Sequence, residues 1–149
     1  MKKLTTALCA VLLMILVLMP GAAAAGPALS ATRAYCIIDA DTGLVLAPQN
    51  MNEELHPASI TKVMTALLVM EAIDQGKLSL TDQLTASHTA MTTGLAEDGS
   101  TANIQEGEIM TVEQYLTCML VVSANEACNV LAQVVSGSVD SFVELMNQR

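Results

Sequence analysis

The sequence predicts a mixed α/β (α+β) chain: one β-hairpin near its start, then a run of helices. Three observations carry that expectation. Tyr35 to Ala47 holds two short β-rich stretches on either side of an Asp/Gly cluster, the pattern of a hairpin. Ala58 to Gln75 is apolar at nearly every turn and stops at Gly76, the pattern of a buried helix with a left-handed cap. Thr111-Val112-Glu113-Gln114 and Ser123-Ala124-Asn125-Glu126 each set a hydroxyl three residues ahead of Gln or Glu, the signature of a helix start.

Taken in chain order, Met1-Lys2-Lys3 is a short basic start and Leu4 to Met19 carries no charge. Pro20-Gly21 then breaks any helix, and Ala22 to Ala25 is a run of small residues. Basic start, apolar core, breaker and A-x-A-like site make residues 1–25 a secretory signal. Residues 4–25 are also long enough for the ~20 needed to cross a bilayer, so an uncleaved anchor is the alternative. On either reading the remainder is exported and lies outside the cytoplasmic membrane. Cleavage leaves roughly 124 residues, a single-domain length; residues 26–33 read as a small-residue linker and residues 34–149 as the folded part.

Within that part, Tyr35-Cys36-Ile37-Ile38 and Leu44-Val45-Leu46 are the expected strands about a turn at Asp39 to Gly43. Pro48 to His56 is polar and read as loop. Pro57 opens the long helix, since its fixed φ and missing N–H are tolerated in a first turn. Lys77 to Met110, rich in Ser, Thr, Gly and acids, reads as mostly loop with short pieces of structure. Further helices are expected from Thr111 to about Val121 and from Ser123 to about Val135, with Gly137 as the stop. Asp140 is the expected cap of a last helix still running at Arg149.

Composition narrows the function classes. Without the signal, only Arg33, Lys62, Lys77 and Arg149 face 15 acidic residues, so no basic face exists to displace counterions from phosphates. Tyr35, Tyr115 and Phe142 are the only aromatics, too few to stack bases. Nucleic acid is excluded as a partner. Cys36, Cys118 and Cys128 are odd in number and irregularly spaced, which is not a disulfide framework. Buried thiols acting as small apolar side chains are the favoured reading, with a Cys118–Cys128 pair as the alternative. His56 and His88 stand in no ligand-spaced cluster with cysteine, so no metal site is expected.

One residue stands out on the long helix. From Ala58 to Met70 its only charge is Lys62. An ammonium on a helix buried all round is costly unless it is paired or loses its proton, and a neutral amine is a usable general base. Ser59 lies three residues earlier, on the same face. It sits in a first turn, where backbone N–H groups lack intrahelical partners and developing negative charge is favoured. Nucleophile, base and oxyanion donors are therefore together at one end of the helix. The plain alternatives remain open on spacing alone: a first-turn serine, a lysine reaching to a pocket edge, Ser123 as a helix cap and Asn125 as an ordinary first-turn residue.

The segment Pro57-Ala58-Ser59-Ile60-Thr61-Lys62-Val63-Met64-Thr65-Ala66 closely resembles the nucleophile segment of the serine-type D-Ala-D-Ala carboxypeptidases, peptidase family S11, the low-molecular-mass penicillin-binding proteins. Ser123-Ala124-Asn125 looks like their second motif, S-x-N, and Asp41-Thr42-Gly43 resembles the turn of their first hairpin. The likeness spans about Tyr35 to Arg149. It implies a β-lactamase/transpeptidase-like fold, an antiparallel sheet backed by helices with a helical lobe beside it. It further implies that Ser59 forms an acyl-enzyme with the penultimate D-alanine of a peptidoglycan stem peptide ending in D-Ala-D-Ala. Lys62 would take the serine's proton, Ser123 would relay a proton to the leaving D-alanine, and Asn125 would bind substrate and position Lys62. β-Lactam antibiotics would acylate Ser59, and no cofactor is implied.

The family's third motif, K-T-G or K-S-G, is absent: Lys77 is followed by Leu78-Ser79, and no lysine lies downstream. The expectation is therefore the N-terminal part of a longer protein whose third motif, and any C-terminal membrane anchor, would follow Arg149. The 149 residues alone are expected to be inactive. Two alternatives accompany this reading: a serine β-lactamase of the same fold, and a non-catalytic penicillin-binding or sensor module.

Overall fold

The computed structural model describes residues 31–149; the expected signal and the start of the linker lie outside the described residues. The chain divides into two units at Leu55/His56, and each is treated by itself.

In the first unit, β1 (Tyr35–Ile38) pairs antiparallel with β2 (Val45–Gln49). Tyr35 faces Gln49 and Ile37 faces Ala47, after which a bulge sets Ile38 against Val45. The expected turn is built around Asp39, whose Oδ1 accepts from the Thr42 N–H at 2.8 Å and the Thr42 hydroxyl at 2.6 Å. These bonds hold the Asp39 carboxyl below its usual range. Gly43 adopts φ 71°, which suits a residue without Cβ, and its N–H donates to Asp39 O at 2.9 Å. β2 runs through Pro48, where loop was expected. A two-stranded ribbon has only edge positions, so a residue that cannot donate is tolerated there.

The second unit starts with a 3-10 turn, Ala58–Thr61, which leads into α1 (Lys62–Asp74). The sequence had suggested one continuous helix from Ala58. α1 ends in a Schellman motif: Gly76, at φ 68°, donates to Ile73 O at 2.8 Å, and Lys77 N–H donates to Ala72 O at 2.9 Å. Residues read as mostly loop include β3 (Gln83–Thr85), α2 (His88–Thr92) and β4 (Ile109–Thr111), with β3 and β4 antiparallel. Then come α3 (Val112–Val121), α4 (Asn125–Ser136) and α5 (Val139–Gln148). The Thr111/Gln114 capping box is formed in both directions, at 3.2 and 2.8 Å. Gly137 ends α4 at φ 83°. The cap of α5 is Ser138, whose Oγ accepts from Ser141 N–H at 3.0 Å. Asp140 instead occupies the first turn, where its charge suits the helix dipole.

α4 is the centre of this unit. Its Ala127, Val130 and Leu131 pack with Tyr115 and Met119 of α3 and Val69 of α1. On another side, Ala132 joins Leu68 of α1 and Phe142 of α5. The expectation that α1 is buried all round is corrected. Leu68, Val69 and Ala72 are buried, whereas Val63, Leu67 and Met70 form an exposed stripe on the opposite side, and Ile60 of the 3-10 turn before it is exposed as well. The cysteine reading also changes in part: all three thiols are free, Cys118 and Cys128 are half-buried, and Cys36 is exposed.

Leu131 is wholly inaccessible, so Leu131→Ala leaves a void at the junction of α3 and α4. The expected loss is about 3 kcal/mol of unfolding free energy, to be measured by urea denaturation.

Candidate active site

The site is assembled from two places that the fold brings together. The 3-10 turn and first residue of α1 supply Ser59 and Lys62; the link from α3 to α4 supplies Ser123 and Asn125. Lys62 Nζ donates to Ser59 Oγ at 3.2 Å and to Asn125 Oδ1 at 2.7 Å. The Ser123 hydroxyl donates to Ser59 Oγ at 2.8 Å. All four residues singled out in the sequence thus belong to one hydrogen-bonded cluster, with Ser59 Oγ at its centre.

Local backbone conformation produces this convergence. Ala58 and Ser123 both have positive φ, 48° and 63°, a region that side chains with a Cβ rarely adopt. Ser123 is not a helix cap. The N-cap of α4 is Ala124, with no side-chain hydrogen bond, and the Ser123 hydroxyl is committed to Ser59. α3 is closed by Val122 N–H and Ala124 N–H, both donating to Cys118 O at 3.3 and 3.1 Å. Within the 3-10 turn that carries Ser59, Ile60 N–H donates to Pro57 O at 3.2 Å.

Ser59 is exposed, while Lys62, Ser123 and Asn125 are half-buried. Lys62 takes part in none of the ion pairs among the described residues, so its hydrogen bonds go to neutral oxygens. A cleft of about 630 Å³ opens over Ser59, Lys62 and Asn125. Its wall continues along α4 and α5 through Cys128, Asn129, Phe142 and Met146. Burial pushes the Cys128 thiol up to about 11, against the opposing pull of Lys62. A neutral thiol is a poor nucleophile at physiological pH.

Sequence reasoning passed over Glu126. It looked like the second half of a capping box, but its side chain turns away from the helix start. The Glu126 carboxylate, 4% exposed, accepts from the Thr101 hydroxyl at 2.7 Å, Ala102 N–H at 2.7 Å and Ile104 N–H at 3.5 Å. Burial raises its pKa, yet the bonds from Thr101 and the backbone outweigh that, and the net shift is downward from 4.5. A signal existed: Glu126 shares the apolar face of Ala127, Val130 and Leu131, and an acid there requires internal partners.

Comparison with known proteins adds the following. The family model described as D-alanyl-D-alanine carboxypeptidase matches residues 21–149. D-alanyl-D-alanine carboxypeptidase DacF of Bacillus subtilis (strain 168) is 42% identical over 113 residues, covering 76% of this chain and 28% of that protein. The crystal structure of D-alanyl-D-alanine carboxypeptidase DacD from Francisella tularensis aligns with a TM-score of 0.69 at 35% identity. That alignment covers 78% of this chain and 27% of the other. Penicillin-binding protein D2 from Listeria monocytogenes, in its ampicillin-bound form, aligns with a TM-score of 0.58 at 28% identity, over 82% of this chain and 47% of that one. The chain thus spans little more than a quarter of the Bacillus and Francisella proteins.

Because its folded pKa is depressed, Glu126 contributes stability that is fully present above the unfolded carboxyl value and lost as pH falls through the folded one. Glu126→Gln is expected to lower stability at pH 7 by on the order of 2 kcal/mol. That difference should shrink as pH falls below 4.5, as read from thermal melts of the two proteins across an acid series.

Proposed function

The chain belongs to the D-alanyl-D-alanine carboxypeptidase family, and from that premise we propose that it carries the nucleophile segment of an exported serine D-Ala-D-Ala carboxypeptidase. The carrying observation is the position of Ser59 Oγ, in hydrogen-bond reach of Lys62 Nζ at 3.2 Å and Ser123 Oγ at 2.8 Å. A hydroxyl held between an amine and a second hydroxyl has both a proton acceptor and an onward path for the proton.

The proposed reaction runs in two stages. Lys62 Nζ takes the Ser59 hydroxyl proton as Oγ bonds to the carbonyl carbon of the penultimate D-alanine. The carbonyl π electrons move onto oxygen. When that oxyanion collapses, the C–N bond breaks. The departing D-alanine nitrogen receives a proton from the Ser123 hydroxyl, and Ser123 Oγ takes in turn the proton that Lys62 Nζ accepted, both groups being gathered at Ser59 Oγ in the resting site. An ester on Ser59 remains. Water then attacks the ester, its proton returns through the same groups, and the shortened peptide leaves with Ser59 restored. Asn125 holds Lys62 through Oδ1 at 2.7 Å and offers its amide N–H to the substrate backbone.

The stem peptide of peptidoglycan is the proposed substrate, and β-lactams the proposed mimics that acylate the same serine. The ampicillin-bound state of the Listeria relative supports that reading. The proposal extends to location and boundaries: residues 1–25 direct export, 26–33 link, and 34–149 belong to the catalytic domain, working in the cell envelope outside the cytoplasmic membrane.

A fluorescent penicillin is expected to label the full-length protein covalently at Ser59, with Ser59→Ala unlabelled. Lys62→Ala is expected to slow labelling by about 10²–10⁴-fold, the usual contribution of a general base. Labelling that survives Ser59→Ala overturns the reading, and rapid turnover of the label to free penicilloate replaces it with a β-lactamase.

A further inference from the structure

The loop that runs from Ala96 to Ile104 touches the cluster at one residue and is fastened beside it by another. A turn closes between Ala96 and Gly99, with Gly99 N–H donating to Ala96 O at 2.9 Å. A Cβ on residue 99 would lie 2.8 Å from Asn125 Nδ2 and 2.9 Å from Ala96 O. Both approaches are closer than a methyl group tolerates. The absent side chain is therefore what lets the Asn125 amide lie with Nδ2 against the loop while Oδ1 accepts from Lys62.

The next residues fix the loop in that place. Ser100 O accepts from the Asn125 backbone N–H at 2.9 Å. One residue further along α4, the buried Glu126 carboxylate gathers the Thr101 hydroxyl and the Ala102 and Ile104 N–H groups. Adjacent residues of α4 thus grip adjacent segments of the loop, and the grip sets the distance between residue 99 and the amide. A carboxylate with several neutral donors is a stiff anchor, since charge-assisted bonds are about twice as strong as neutral ones.

We propose that Gly99 and Glu126 are positioning residues: Glu126 clamps the loop, and Gly99 within it sets the orientation of the Asn125 amide that holds Lys62 on Ser59. Neither residue touches the reacting atoms. The inference rests on the proposed role of Ser59 and Lys62. The Ser59→Ala control separates the two, since labelling that persists there defeats the parent reading before the loop is tested.

The deciding measurement is a double-mutant cycle on the full-length protein, with the acylation rate by fluorescent penicillin as the readout. Gly99→Ala is expected to slow acylation by about tenfold or more, the scale of a sub-ångström to 1 Å misplacement at a reacting centre. In an Asn125→Ala background the amide is gone, and the same substitution should change the residual rate by less than about twofold. Glu126→Gln, taken through the same cycle, should follow the same pattern. The side-chain amide resonance of Asn125, identified by its loss in Asn125→Ala, should also move in Gly99→Ala, a readout that needs no activity. An unchanged rate and an unmoved resonance in Gly99→Ala overturn the proposal. Losses of equal size in both backgrounds also overturn it, because they mark a general structural effect.

Discussion

The hydrogen bond from Lys62 Nζ to Asn125 Oδ1, 2.7 Å long and 63 residues apart in the chain, joins the start of α1 to the start of α4. A lysine side chain has four rotatable bonds and loses considerable rotamer entropy when its tip is fixed. Its position on Ser59 therefore depends on a partner that the fold holds still. That partner is the first residue of the most buried helix in its unit, whose Ala127 and Leu131 are inaccessible and whose neighbours α1, α3 and α5 pack around it. The packing of α4 and the geometry at Ser59 are thus one problem, solved by the same contacts.

What could be read from the sequence follows the range of the interactions. The hairpin, the Gly76 and Gly137 stops and the Thr111 box were legible because each is decided within a few residues. Ser59 and Lys62 were legible for the same reason, being three apart on one face. The pairing of β3 with β4, which sets Leu84 opposite Met110, was not, since each strand is three residues long and neither has a strong alternating pattern. Family likeness, rather than spacing, singled out Ser123 and Asn125. Spacing alone suggested a cap, and the backbone at Ser123 turned the hydroxyl elsewhere.

α1 shows where periodicity misleads. An all-round apolar helix implies cover on every side, yet Val63, Leu67 and Met70 are exposed. Pattern reports what a helix face is suited to meet, not what meets it. Glu126 is the converse case: an acid on an apolar face looked like helix punctuation, and its value lay in three donors more than twenty residues earlier. Both errors concern partners distant in sequence, which local rules do not register.

The left-handed backbone at Ser123, φ 63°, places two opposed demands on a single codon. Glycine would relax the main chain by about 1–2 kcal/mol but delete the hydroxyl; threonine would keep the hydroxyl but crowd the main chain further through its branched Cβ. On the proposed role of Ser123, drift at this position is opposed in both directions, by conformation on one side and by chemistry on the other.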